Sequence, residues 1–320
     1  MVSLRADPWS PEYGMGLEAA SLTEEDTDVD PSVETTDWSR PLHPATGEPI
    51  PLAFVDGVRR VDLRLWASED GVEVPGLFGS VAVGSVRCDG SATFGDERVR
   101  HVLIVGGGIT LRSPRVAAGK ADLDLEVHTV AGTDVMAPLV GLQQVMRRTE
   151  AQMAETLAGT EGWIVLVDGP VSFLPPALQD SARCPVVGLV KRMTQAYLSG
   201  AEAALLPLLA TGERTPLFAL GSELNRRYAW YLRLAPTRPP WHDHAGLLRC
   251  EVRTGVGLRP AVDLADGLSA TLPSFAGRAS DPRAPQNLAP VGALEARLRH
   301  RMGHPAFVRR SLQEWLVMSA

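Results

Sequence analysis

The sequence lacks the long apolar runs of a membrane protein. Its longest runs, such as Trp163–Val167 and Ala203–Leu209, end well before the roughly 18 residues that a membrane-spanning helix requires. The first ten residues are charged and have no apolar core, so they do not resemble a secretory signal. Together these absences predict a cytoplasmic protein that does not enter a membrane.

Cysteine is also scarce. Cys88, Cys184 and Cys250 are odd in number and far apart, without the paired spacing that zinc sites use. We interpret them as buried thiols in a reducing compartment. The sequence contains no Gly-x-Ser-x-Gly elbow either, which argues against a serine nucleophile and covalent hydrolysis.

Positive charge is in the minority and is almost entirely arginine. The formal net charge of -7 argues against a protein that coats nucleic acid, although an enzyme can use a local basic patch. Lysine occurs only at Lys120 and Lys191, which indicates that an ammonium is needed there. Residues 22–38 contain seven acids and no base, whereas residues 297–310 contain five arginines and two histidines.

The chain divides into an extension and one large domain. Residues 1–45 are rich in Pro, Ser, Thr and acid and have no periodic apolar pattern, which predicts a flexible or partner-docking extension. Residues 46–320 form the predicted domain. Three β-rich runs open it and are expected to pair antiparallel, namely Leu52–Trp66, Leu77–Arg87 and Val99–Gly106.

Helical spacing then replaces the strand pattern. Apolar residues recur at helical intervals over Ala137–Leu157, and the apolar run Trp163–Val167 that follows is typical of a buried central strand. Further along, the pattern predicts a strand at Val186–Val190, a helix from about Arg192 to Leu209, and strands at Trp230–Leu234 and Leu247–Arg253.

This order of elements predicts an α/β fold. Three meandering strands followed by helix-linked strands parallel to the first are typical of a ribonuclease H-like mixed sheet flanked by helices. The N-terminal extension and a C-terminal helical appendage complete the expected architecture.

Two apolar segments each lead into an Asp-Gly dipeptide, one beginning at Asp56 and the other at Asp168. If both are parallel strands that end there, the two aspartates project from one edge of the sheet. Neighbouring carboxylates repel unless a cation joins them, and hard divalent metals such as Mn2+ or Mg2+ prefer oxygen ligands. The alternative is that each Asp-Gly is an ordinary turn.

The helix between these strands offers a third carboxylate. The strand climbs about 3.3 Å per residue towards Asp168, while the helix descends about 1.5 Å per residue. Glu150 therefore comes closer to the level of Asp168 than Glu155, which we keep as the alternative. Lys191 follows the Val186 strand and could neutralise a phosphate, or be a solvated strand end. Tyr197 could orient a phosphate, but its spacing is more typical of core.

These residues form a series of motifs that resembles the NurA family of DNA end-processing nucleases. The motifs occur in the family's order over roughly residues 50–305, and they are Phe54–Arg59, the Glu150 helix, Leu166–Pro170, Val187–Lys191, and Asp281–Leu288 with Leu294–Arg299. The resemblance implies a ribonuclease H-like core, a manganese or magnesium requirement, exonuclease and single-strand endonuclease activity, and a homodimer. It also implies a partner, the hexameric HerA-type ATPase that translocates DNA ends during recombinational repair.

One departure from the family concerns the fourth site residue. Many archaeal members carry an Ala-His pair near the C-terminus, and this chain lacks that match. Asp281 is our candidate for the role, with a turn residue as the alternative, and His300 and His304 are weaker candidates. His242 and His244 alternate as metal ligands can, but no third ligand accompanies them.

The leading hypothesis is therefore a metal-dependent deoxyribonuclease with Asp56, Glu150 and Asp168 as metal ligands. Lys191 and Asp281 complete the predicted catalytic set. Two alternatives remain open: a non-catalytic docking module for a DNA translocase, and a ribonuclease H-like nuclease that acts on RNA or branched DNA.

Overall fold

The computed structural model describes residues 2–6, 28–44, 50–119, 121–160, 162–173, 185–191, 195–222, 225–237, 242–277 and 286–319. The strands within these ranges are β1 (Ser3–Ala6), β2 (Val29–Asp30), β3 (Leu52–Glu69), β4 (Val72–Asp89), β5 (Ser91–Val105), β6 (Arg115–Ala118), β7 (Ala121–Thr129), β8 (Ile164–Asp168), β9 (Val186–Val190), β10 (Phe218–Leu220), β11 (Arg227–Arg233) and β12 (Leu247–Arg253). The helices are α1 (Ala137–Ala158), α2 (Gly200–Ala204), α3 (Leu258–Thr271), α4 (Ala289–Arg301) and α5 (Pro305–Ser319).

The strands join in one large mixed sheet with helices packed against it. Their order is β2-β10-β11-β12-β9-β8-β3-β4-β5-β7-β6, and β1 pairs separately with the far half of β3. The pairs β3–β8, β8–β9 and β5–β7 are parallel, and the other neighbours are antiparallel. The expected mixed α/β sheet flanked by helices is thus confirmed.

A long hairpin forms the middle of the sheet. β3 and β4 each contain 18 residues and are joined at Asp70 and Gly71, which both have positive φ angles of 51° and 82°. An Asp-Gly pair tolerates this backbone and matches the twist of the flanking strands. The predicted runs therefore lie in strands that are longer at their ends than expected, because pairing continues beyond the apolar residues.

The two faces of the central strands bury different cores. Phe54 and Leu166 belong to a cluster that includes residues of α3 and α4, whereas Val55 and Val167 pack with residues of α1. This division follows from the alternation of side chains along a strand. The site described below draws side chains from both faces.

β3 does not end at its Asp-Gly pair, which corrects the interpretation of that pair as a strand end and agrees with the predicted run Leu52–Trp66. β8 pairs with β3 in parallel only from Leu52 to Val55 and itself ends at Asp168, but β3 continues to Glu69. Antiparallel pairing with β4 along its whole length keeps β3 extended, with a bulge around Asp62. Asp56 therefore lies within a strand, beside the point where its parallel neighbour stops.

The predicted helix from Arg192 to Leu209 is also wrong in extent. Residues 192–194 lie outside the described ranges, and the remainder contains only the five-residue α2 and a 3-10 turn at Leu206–Leu208. Gly200, the first residue of α2, has a positive φ of 57°, and Pro207 cannot donate the backbone hydrogen bond that would continue a helix.

Parts of the extension 1–45 pack on the sheet. β1 pairs with β3, and β2 pairs with β10. Trp38 is buried in a cluster with Phe218 and Tyr231. In the ranges that the structure describes, no helix is both long and apolar enough to cross a membrane.

Candidate carboxylate site

Asp56 and Asp168 lie side by side where β8 ends. Val55 and Val167 are partners in the parallel register, so the next residue on each strand is one of the two aspartates. Strand alternation places both on the face of Phe54 and Leu166, which is the face covered by α4. Asp56 is 3% exposed, whereas the Asp168 side chain is 40% exposed. One carboxylate is therefore buried and its neighbour is open to solvent.

Lys191 joins the pair from the next strand. β9 runs parallel to β8 with Asp168 opposite Leu189, which brings the residue after β9 to the same edge. The Nζ atom of Lys191 lies 3.1 Å from Oδ1 of Asp168. Burial opposes the charge of Lys191, but Asp168 and then Asp56 raise its pKa above the usual value. The ammonium is thus held charged by the two aspartates.

Glu150 reaches the site from the opposite face of the sheet, on α1. Its carboxylate accepts a hydrogen bond from the backbone N–H of Gly57. A Cβ atom at residue 57 would lie only 2.5 Å from Oε1 of Glu150, so the glycine makes room for the carboxylate. Burial, followed by the charge of Asp168, raises the pKa of Glu150 to about 7. Glu155, the alternative on the same helix, is exposed.

Glu295 of α4 is a site residue that the sequence analysis missed. It is only 5% exposed, and its Oε2 atom accepts a hydrogen bond of 2.9 Å from Nη2 of Arg299. Its charge raises the pKa of both Asp56 and Lys191. The spacing of Val291, Leu294, Glu295 and Leu298 carried a signal, because Glu295 occupies a position of the buried helical stripe.

The electrostatic balance of the site is negative. Burial raises the pKa of Asp56 well above its usual range, and the charges of Asp168, Glu150 and Glu295 raise it further against the opposing effect of Lys191. Among the described residues, Oδ2 of Asp56 is buried without a hydrogen-bond partner. A buried charge of this kind is costly unless a cation or a proton offsets it. The site is therefore suited to a positive ligand.

The carboxylates do not form a closed metal cage by themselves. Within the ranges described, no group of three His, Cys, Asp or Glu side chains converges closely enough to hold an ion. Asp168, one of these carboxylates, is paired with Lys191.

The other predicted candidates lie apart or outside the described residues. Asp281 falls in the range 278–285, which is outside them. His300 lies in the last turn of α4 and His304 precedes α5, and both are exposed. The ring centroids of His242 and His244 lie 4.6 Å apart, and among the described residues no third potential ligand joins them closely enough to hold a metal ion.

Tyr197 and the basic C-terminal segment both contact other groups of the protein. The Arg249 guanidinium lies 4.7 Å above the ring of Tyr197, so Tyr197 contacts protein in this arrangement. The arginines of α4 also contact protein carboxylates: Arg297 and Arg301 pair with Glu97, and Arg299 pairs with Glu295. The basic C-terminal segment is consequently partly neutralised by the chain itself.

Comparison with known proteins does not assign the chain to a family, because no protein-family model and no curated protein matches it.

Proposed function

We propose that this protein is a metal-dependent DNA nuclease of the ribonuclease H-like class. The observation that carries the proposal is the meeting of Asp56, Asp168 and Glu150 where β8 ends, with one oxygen of Asp56 buried and unpartnered. Clusters of carboxylates that repel one another are typical of functional sites, where a bound cation offsets the repulsion.

The strand order supports the finer fold assignment. The central strands run β5-β4-β3-β8-β9, with the first three antiparallel and with β8 and β9 parallel to β3. The helix α1 lies in the connection that leads into β8. This order is typical of a ribonuclease H-like core, and it brings the ends of β8 and β9 to the level of Asp56, near the start of β3.

The donor set fits a hard divalent cation. Asp56, Glu150 and Asp168 would hold Mn2+ or Mg2+ through carboxylate oxygens. The ion would give the buried Oδ2 of Asp56 the partner that it lacks among the described residues. When bound, the ion would polarise a phosphodiester and neutralise the charge that develops during hydrolysis.

The chain's own residues orient and neutralise the substrate in this proposal. Lys191 is held at the open side of the cluster by Asp168, whose side chain is 40% exposed. From there its ammonium can contact a phosphate oxygen and offset its charge. The charge of Glu295 acts on Asp56, and Glu295 is itself held by Arg299, so we assign it a positioning role.

The remaining parts of the proposal come from the resemblance to NurA nucleases. They are exonuclease and single-strand endonuclease activity on DNA ends, a homodimer, and a HerA-type translocase as partner. The proposed cytoplasmic location comes instead from the sequence composition. The buried free thiols of Cys88 and Cys250 are compatible with a reducing compartment.

The test is cleavage of end-labelled single- and double-stranded DNA in Mn2+, Mg2+ or EDTA. We expect metal-dependent cutting by the wild type and its loss in Asp168→Asn, which keeps the size of the side chain. Glu155→Gln is the matched control, because it removes an exposed acid of α1 outside the cluster. Cutting that persists in Asp168→Asn would contradict the assignment.

A docking module without catalysis is the second candidate. The ion pair of Lys191 with Asp168, and the lack of a formed metal cage among the described residues, favour it. Titration calorimetry with Mn2+ separates the two, because the docking module needs no metal. Labelled RNA and branched DNA, run beside the linear DNA substrates, test the remaining alternative of a different nucleic-acid substrate.

A further inference from the structure

Lys191 is a basic residue that β9 brings to the carboxylate cluster. Its Nζ atom lies 3.1 Å from Oδ1 of Asp168, and Asp168 is the partner of Leu189 in the parallel register of β8 and β9. Val190 pairs with Arg249 of β12, which holds the backbone immediately before Lys191. The lysine is therefore anchored through its backbone, while its long side chain makes the contact with Asp168.

This ion pair lies at the solvent-accessible side of the cluster. The side chain of Asp168 is 40% exposed and that of Lys191 is 18% exposed, whereas Asp56 is only 3% exposed. An ammonium on a flexible four-carbon stem can turn from Asp168 towards a molecule that approaches from solvent, without a change in the strands. The pair can thus open while the fold of the site is retained.

The presence of lysine at this position fits a contact that changes its partner. Lysine occurs at only two positions of the chain, and two buried ion pairs elsewhere in the fold use arginine instead. Arg214 holds Glu34 through two N–H groups, and Arg227 pairs with the fully buried Glu251. A guanidinium is a rigid planar donor suited to such permanent pairs, whereas an ammonium is a single charge with rotatable donors. The contact of Lys191 is therefore easier to exchange.

The Lys191 ammonium and a divalent cation compete for the same carboxylate. Asp56 and Asp168 follow neighbouring positions of the parallel register, and both are proposed metal ligands. The ammonium already contacts one oxygen of Asp168, so a divalent ion held by the two aspartates would bring two positive charges together. Like charges this close repel each other. Binding of the divalent ion therefore favours the departure of Lys191 from Asp168.

We propose that Lys191 is an exchangeable counter-ion, which holds Asp168 until a nucleic acid phosphate binds its ammonium and frees the carboxylate for the divalent cation. The inference rests on the proposed nuclease function for the identity of the cation and of the phosphate. It makes metal binding dependent on substrate, because the phosphate offers Lys191 a second anionic partner. Removal of the lysine should then act in opposite directions on the two ligands, with tighter binding of the cation and weaker binding of the nucleic acid.

The first experiment measures binding of Mn2+ to the full-length protein without nucleic acid, by titration calorimetry. We expect Lys191→Met, which keeps an unbranched apolar stem, to bind Mn2+ at least roughly tenfold more tightly than the wild type, the smallest effect that an adjacent charge usually has on an ionisable group. Lys191→Arg keeps the charge and should bind Mn2+ no more tightly than the wild type. Arg310→Met removes a charge from an exposed pair with Glu314 and should leave the affinity unchanged.

The second experiment measures binding of a fluorescein-labelled oligothymidylate in EDTA, by anisotropy over a series of NaCl concentrations. Lys191→Met should weaken binding and reduce the slope of log K against log salt by about 0.7, the value for one phosphate contact on a single strand. Lys191→Arg should retain the slope, and Arg310→Met should retain both affinity and slope.

Urea denaturation checks that each variant is folded, and Lys191→Gln replaces Lys191→Met if the latter is not. A folded variant without the lysine charge that binds Mn2+ as the wild type does, or more weakly, would overturn the exchange. So would a wild-type salt slope in that variant, since the lysine would then have no contact with phosphate.

Cleavage assays with Mn2+ on the wild type separate this inference from the nuclease function. If the wild type cuts DNA but Lys191→Met binds Mn2+ with unchanged affinity, the exchange is wrong and the nuclease function stands. If Lys191→Met binds Mn2+ more tightly and oligothymidylate more weakly but the wild type cuts no DNA, the exchange stands and the nuclease function fails. If neither protein binds Mn2+, the metal assignment and the exchange are both wrong.

Discussion

Gly57 shows how a residue without a side chain lets two faces of a sheet share one site. Its backbone N–H binds Glu150, and a Cβ atom would lie 2.5 Å from Oε1 of Glu150 and 3.0 Å from Cγ of Met146. We expect Gly57→Ala to displace Glu150, to cost about 1–3 kcal/mol of unfolding free energy, and to reduce cleavage.

Urea denaturation and the DNA cleavage assay check this prediction. Gly159→Ala is the control, because an added Cβ there meets nothing closer than 3.5 Å and the backbone is right-handed. Wild-type cleavage in Gly57→Ala would show that the position of Glu150 is not critical.

Asp56 stores unfavourable electrostatic energy in the folded protein. Its pKa is raised by burial and by Asp168, Glu150 and Glu295, so folding is less favourable once the carboxyl is ionised. The contribution to stability is present below the usual pKa near 3.8 and is lost as pH rises through the raised pKa. Asp56→Asn should therefore stabilise the metal-free protein at neutral pH, on the order of 1–3 kcal/mol, and should abolish cleavage.

The measurement is thermal unfolding at several pH values with EDTA or Mn2+. The gain in stability of Asp56→Asn over the wild type should shrink as pH falls towards 3.8. The variant should also lack the increase in Tm that Mn2+ produces in the wild type. Asp263→Asn, in an exposed pair with Arg259, serves as the control. An equal Mn2+ response in the wild type and Asp56→Asn would contradict the metal assignment.

At the level of elements, Arg60 connects β3 to the end of α4. Its Nη1 and Nη2 atoms donate to the carbonyl oxygens of Gly303 and Met302, at 2.9 and 3.1 Å. Asp62 accepts a hydrogen bond of 2.6 Å from Nε of Arg60 and another from the hydroxyl of Ser80. These bonds hold the Arg60 side chain in place. The two carbonyls that follow α4 are thus bound by a side chain of the strand that carries Asp56.

Loss of the Arg60 hydrogen bonds to the end of α4 should make α4, and with it Glu295, less firmly held. We expect Arg60→Gln to cost about 1–3 kcal/mol of unfolding free energy and to lower kcat although no carboxylate has changed. Urea denaturation and cleavage kinetics measure the two effects. Arg310→Gln removes an exposed pair with Glu314 on α5 and should change neither.

At the scale of the whole molecule, a buried ion pair attaches the N-terminal segment to the sheet. Arg214 is 2% exposed, and its Nη1 and Nη2 atoms each lie 2.9 Å from an oxygen of Glu34. The backbone N–H of Leu217 also donates to Glu34, at 2.6 Å. The acidic segment therefore contributes to the chain's own fold through a bidentate pair.

Removing Glu34 leaves the buried Arg214 paired with Asp266, whose side chain is 43% exposed. Glu34→Gln should cost about 1.5–3 kcal/mol of unfolding free energy, the range for a hydrogen bond to a charged group, whereas Asp263→Asn should cost less than about 1 kcal/mol because its pair is exposed. Chemical denaturation of both variants checks the difference. Equal small losses would show that Glu34 does not support the fold.

Elements with a strong apolar period could be predicted from the sequence, and weakly periodic ones could not. The regular spacing of apolar residues predicted α1 and β9 almost to the residue, because their buried faces are continuous. β6 and β7 were missed because their residues alternate charge with small or apolar side chains at an exposed edge. The helix predicted from Arg192 to Leu209 was too long, because Gly200 and Pro207 limit the helix locally.

The sequence by itself determined the central strands, the long helix and the residue types of the site, since these follow from local periodicity and from acids placed next to apolar runs. Only the tertiary structure decided that Glu150 reaches the site over Gly57 and that Glu295 joins it from α4. The physical reason is that these contacts connect residues more than 90 positions apart, through strand pairing and helix packing. Local patterns do not contain that information.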